Sequence, residues 1–88
     1  MVNESRIKKA FGNTLKEIRK ERELSQEVLA ARVGLHRTYV SDVERGDRNL
    51  SLINIIKICK ELDIPVSSFF SRMENGADQY ASESDISR

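Results

Sequence analysis

One cysteine, one histidine and one proline occur in this 88-residue chain, and each scarcity closes off a class of protein. Cys59 alone cannot form an internal disulfide, and a single thiol without metal-ligand spacing fits a reducing compartment, so the cytoplasm is expected. His36 has no Cys or His partner close in sequence, so no metal site and no cofactor are expected. It also lacks a catalytic partner. With no nucleophile–base set in view, no catalytic residues are assigned and an enzyme is not expected. No apolar run approaches the ~20 residues of a membrane span. The opening MVNESRIKKAFG carries charge but no apolar signal-peptide core. Strand-like alternation and internal repeats are absent as well.

What remains is the composition of a small globular protein, 39% hydrophobic and 33% charged. A chain this short buries roughly 60% of its unfolded surface, which leaves one core only just sufficient. Burying more apolar surface in a dimer would help. Charge is unevenly spread. Residues 1–73 hold 14 basic and 10 acidic side chains, a net +4, whereas Glu74, Asp78, Glu83 and Asp85 against Arg88 make the remainder net −3. A mildly basic body is compatible with a DNA-facing surface without proving one.

The periodicity predicts five helices. Ile7, Phe11, Leu15 and Ile18 make one stripe over about Ser5 to Arg22. A second helix is capped by Ser25, carries Glu27 at its positive end and stops at Gly34. The third runs from about His36 to Arg45 and ends at Gly46. Asp47 to Leu50 form a loop. Ser51 then caps a fourth helix reaching Leu62, with Leu52, Ile55, Ile56, Cys59 and Leu62 expected inward. Pro65 opens a short fifth helix with Val66, Phe69, Phe70 and Met73 as apolar positions. The expected division is residues 1–75 as one DNA-binding and dimerisation domain and 76–88 as a flexible acidic tail.

Residues 26–45 carry the most specific pattern, that of a helix-turn-helix. Ala30 is small where the next helix crosses, and Gly34 suits a turn with φ > 0. Leu29, Val33, Leu35, Val40 and Val43 face a shared core. In such a motif the first residues of the second helix meet base edges in the major groove. Arg37 is the first candidate, because Arg can donate two hydrogen bonds to a guanine edge. Thr38 suits a thymine methyl or a phosphate, and Ser41 lies on the same exposed side. Tyr39 either offers its hydroxyl to a phosphate or packs against the preceding helix. Gln26 can reach the DNA backbone from the first turn of its helix. Arg48, Asn49 and Ser51 form a second contact zone along the phosphates, Arg48 foremost. For His36 a plain helix-start role is favoured. Arg19 and Glu44 are expected to meet as an ion pair fixing two helices together.

The stretch GLHRTYVSDVERGDRNLSLINIIKICKELDIPVSSFF, preceded by SQEVLAARV, resembles the helix-turn-helix family of phage repressors. It is most similar there to the controller proteins of restriction–modification systems. The likeness covers about Ile7 to Met73. It implies an all-α, lambda-repressor-like five-helix fold acting as a homodimer on a palindromic operator near its own gene. It implies the contacts named at Arg37, Thr38, Tyr39, Arg48, Asn49 and Ser51, and it maps a family Arg–Glu pair onto Arg19 and Glu44. RNA polymerase is a further candidate partner, and no membrane is involved. Other circuits remain open, namely a prophage repressor, an antitoxin or a developmental switch. So does a protein–protein adaptor that reads no DNA. The residues themselves also argue for a dimer. Leu50 and Ile53 lie off the main stripe of their helix, and adjacent Phe69 and Phe70 do not both fit easily into one small core. These four are the expected two-fold interface.

Overall fold

The structure, a computed structural model, describes residues 2–76. The expected acidic tail lies outside the described residues apart from Gly76. Five helices follow one another: α1 Glu4–Glu21, α2 Gln26–Val33, α3 Arg37–Glu44, α4 Leu52–Glu61 and α5 Val66–Asn75. Three begin on side-chain caps. Asn3 accepts from the Arg6 N–H, Ser25 from Val28 and Ser51 from Asn54, each satisfying a backbone donor the helix leaves open. No helix among these residues is long and apolar enough to cross a membrane.

The chain reverses direction after α1, α2, α3 and α4 by the same device. A residue with positive φ lets the next N–H reach back five residues: Leu24 to Arg19 O, Leu35 to Ala30 O, Asp47 to Asp42 O and Ile64 to Cys59 O, all at 2.8–3.1 Å. Gly34 and Gly46 supply two of these positive φ angles, at 74° and 83°. Glu23 and Asp63 supply the others. In three of the four turns the residue after the reversal is apolar. Leu24, Leu35 and Ile64 fold back against the core and seal the helix end beneath them.

Leu15, Ile18, Leu29, Val40, Val43, Ile58, Leu62 and Phe69 form the centre of the core, with almost no exposure. α3 packs between α1 and α2, α4 lies on α2 and α5, and α5 closes back on α1. Arg72 reinforces that last contact through Glu21 at 2.7 Å, and its hydrogen bond holds the Glu21 carboxyl below the usual carboxylate range.

Gly12 sets the closest approach. A Cβ there would stand 2.3 Å from the Val43 carbonyl oxygen and 2.7 Å from that of Glu44. Backbone therefore meets backbone where α1 crosses the end of α3. The sequence carried a signal of this, a glycine inside an 18-residue helix, a place where glycine costs about 1 kcal/mol against alanine unless packing requires it.

Two expectations need correction. Leu52 and Ile56 do not point inward; they are 69% and 48% exposed, and Ile58 is buried instead. At about 100° per residue, Ile55, Ile58, Cys59 and Leu62 define one arc, and Ile56 sits roughly 110° from its centre. Leu52 occupies the first turn, at the edge of that arc and beyond the reach of the core. Phe69 is likewise no interface residue. It is fully buried, 4.9 Å from the Phe11 ring, with Phe70 edge-on at 5.5 Å and half-buried. Three rings share one cluster, so the two adjacent phenylalanines both find places in the monomer. Leu50 is also drawn into this packing.

Candidate nucleic-acid interface

Two side-chain systems position the exposed face of α3. The first lies beneath it. Arg19 Nε donates to Glu44 Oε2 at 2.7 Å and Nη2 to Oε1 at 2.9 Å, a two-pronged pair with side-chain exposures of only 8% and 3%. A third Arg19 donor reaches the Leu24 carbonyl at 2.7 Å, and the Gln26 amide donates to Glu44 Oε1 at 2.9 Å. The ends of α1 and α3, the intervening turn and the first residue of α2 are thereby locked together. Gln26, expected at the DNA backbone, has its amide group turned to Glu44. That bond uses one of the two amide N–H donors, and the other remains. Hydrogen bonds this short between fully paired charges resist deformation, whatever their net stability.

The second system ties α3 to the loop after it. The Tyr39 hydroxyl donates to the Asn49 carbonyl at 2.9 Å, and the Arg48 guanidinium lies 4.4 Å from the centre of the Tyr39 ring. Tyr39, Arg48 and Asn49 thus form one unit, and a cation stacked on an aromatic face is oriented without losing its outward donors. Tyr39 packs half-buried against the core, and its hydroxyl proton is committed to the loop. The phenolic oxygen has no second proton to offer a phosphate. Ser51 uses its oxygen as the α4 cap, which leaves the hydroxyl proton as its only remaining donor.

The outward residues of α3 divide sharply. Arg37 and Thr38 occupy its first turn, are exposed, and make no side-chain hydrogen bond or ion pair among the described residues. His36 precedes them as a cap position whose side chain makes no capping bond. At the other end Arg45 is surrounded. It pairs with Asp47 at 3.1 Å, with Asp42, and with Ser41 Oγ at 2.8 Å. Asp47 first, then Asp42, holds this guanidinium above its ordinary range. Ser41 is drawn into the same knot. The cationic groups left outward on this face are Arg37 at the helix start and Arg48 in the loop.

A short helix crossing beneath, a tight turn with left-handed Gly34, and a second helix whose first turn stands free define a helix-turn-helix protein. The model of the helix-turn-helix family matches residues 15–69. Control protein C.MunI from a Mycoplasma species is 52% identical over 69 residues, 77% of this chain and 93% of that protein. The crystal structure of the restriction-modification controller protein C.AhdI from Aeromonas hydrophila is 48% identical with a TM-score of 0.68, covering 70% of this chain and 94% of that one. A tetramer of the controller C.Esp1396I, solved in complex with its natural 35-base-pair operator, matches with a TM-score of 0.72 and 33% identity over 78% of this chain and 91% of that one. The chain belongs to the helix-turn-helix family and, within it, to the control proteins of restriction–modification systems.

Proposed function

We propose that this control protein acts as a homodimer on a palindromic DNA operator near its own gene, where it sets transcription of a restriction–modification system. The observation that carries the reading is the unpaired Arg37–Thr38 turn, held on a frame fixed by the Arg19–Glu44 clamp. Arg37 reads a base edge. Thr38 meets a thymine methyl or a phosphate. Arg48, Asn49 and Ser51 lie along the adjacent backbone, and Tyr39 aligns that loop rather than bonding DNA through its proton.

Leu52, Ile53 and Ile56 supply the two-fold face. Ile53 is 67% exposed, and with its two neighbours it forms an apolar surface on one side of α4. An exposed cluster of this kind on a small chain favours a second copy over solvent. Two copies place two α3 helices about one DNA turn apart, roughly 34–36 Å. The activity is binding alone, without a reaction. RNA polymerase is its further partner when it activates, and the buried free thiol of Cys59 suits the cytoplasm.

Selection of duplexes from a random pool tests this. Enrichment of two inverted half-sites, centred about one turn apart, is the expected outcome. A pool that stays random would overturn the reading.

A further inference from the structure

Arg45 is a further cation on the exposed side of α3. At about 100° per residue it lies roughly 80° round the helix from Arg37 and roughly 20° from Thr38, about 12 Å further along the axis. More than half of its side chain is exposed, yet its donors are committed. Nε donates to Asp47 at 3.1 Å, Nη1 to Ser41 Oγ at 2.8 Å, and Nη2 to Asp42. One N–H is left free on each terminal nitrogen. Two carboxylates face one guanidinium, so the group as a whole has a formal charge of −1. The backbone brings the two carboxylates together. Gly46, at φ 83°, turns the chain so that the Asp47 N–H bonds the Asp42 carbonyl at 2.9 Å.

We propose that Asp42 and Asp47 withhold Arg45 from the DNA backbone and so limit how strongly the protein holds duplex of any sequence. This role rests on the DNA-binding reading of α3. A guanidinium is well matched to a phosphate, and a phosphate contact adds affinity without sequence information. The gain comes from neutralising phosphate charge and releasing its counterions, which takes positive charge that is not already compensated. Arg37 has such a charge. Arg45, between two carboxylates, does not. Exposed ion pairs of this kind contribute little to stability, so the effect falls on the charge that DNA meets and not on the fold. One carboxylate would be enough to aim a guanidinium at a base edge. The second reverses the local charge and opposes contact with a polyanion. Because Asp47 is held by the turn at Gly46 and Asp42 by the helix, DNA has to displace Arg45 from both to engage it.

The test titrates the full-length protein with a duplex of random sequence over a range of salt concentrations. Asp42→Asn/Asp47→Asn keeps the shape of both side chains and removes their charge. This variant should bind about threefold to tenfold more tightly at low salt, with the gap closing at high salt. Its plot of log affinity against log salt should steepen by about 1 per protomer, for one added phosphate contact each. Adding Arg45→Ala should abolish that steepening. Asp47→Asn alone, outside the helix, should act in the same direction with a smaller effect, and it serves if the double variant does not fold. Affinity and slope equal to those of the native protein overturn the proposal. Tighter binding that Arg45→Ala leaves unchanged also overturns it, since the carboxylates then act by repulsion alone. Weaker binding overturns it too, because Asp42 and Asp47 would then be aiming Arg45 at the duplex. If neither the native protein nor any variant binds duplex, the DNA-binding reading fails and this role with it.

Discussion

Gly12 decides a contest between two residue-scale effects of opposite sign. Helix propensity favours alanine over glycine by about 1 kcal/mol in a helix interior. Packing opposes it, because the added methyl group would meet two carbonyl oxygens of α3 at 2.3 and 2.7 Å. Those are backbone atoms and cannot rotate aside. Overpacking of a tight contact costs about 1–3 kcal/mol, so Gly12→Ala should lower stability despite its better propensity. Urea unfolding at fixed protein concentration measures this. A variant as stable as the parent would show that α1 and α3 can separate freely. Cys59 gives a second residue-scale expectation. Burial pushes its thiol up and hides it, so a thiol reagent should label it only at the rate at which the chain opens. Rapid labelling under native conditions would mean α4 is not packed as described.

The elements show where a sequence is legible and where it is not. Helix boundaries were readable to within one or two residues, because Ser25, Ser51, Gly34 and Gly46 are local signals. The turn at Glu23 was not visible, since Glu seldom adopts a positive φ, and Asp63, a type that tolerates one, is a weaker signal than glycine. The phase of α4 was misread for a related reason. Six apolar residues on one ten-residue helix satisfy more than one stripe, and only the neighbouring helices select Ile55, Ile58, Cys59 and Leu62. Arg37 and Thr38 could be placed on an exposed first turn from pattern alone. The internal hydrogen bonds of Gln26 and Tyr39 could not, because their partners are 18 and 10 residues away and specified only by the fold, whereas Ser41 meets Arg45 at the local i,i+4 spacing.

The clamp below α3 carries the element-scale prediction. Glu44→Ala leaves Arg19 buried without its partner, which costs about 3–5 kcal/mol. For a domain this small that is most of its stability, and the far-UV signal should melt at much lower temperature. Arg19→Met/Glu44→Leu removes both charges and should recover part of the loss. Recovery stays incomplete, because the Leu24 carbonyl and the Gln26 amide then lose their partners as well. A Glu44→Ala protein of unchanged melting temperature would contradict the clamp.

At the scale of the whole molecule, the monomer is complete in its core and incomplete on one side of α4. Phe69 is fully buried in the monomer and Phe70 and Leu50 are partly so, and the exposed apolar side chains of α4 are Leu52, Ile53 and Ile56. Ile53→Glu should therefore yield a folded monomer, since that side chain contributes little to the core. Sedimentation with unchanged helical signal would show it, and a persistent dimer would place the interface elsewhere.

The central claim is that the frame presents Arg37 for reading sequence. Its most direct test is a titration of the native protein and Arg37→Ala against the selected operator and a random duplex at one salt concentration. Loss of one bidentate contact per half-site should weaken operator binding by about 1–3 kcal/mol per half-site and leave random-duplex binding nearly as it was. An equal loss on both duplexes would make Arg37 a phosphate contact, and no loss on either would remove the first turn of α3 from the interface.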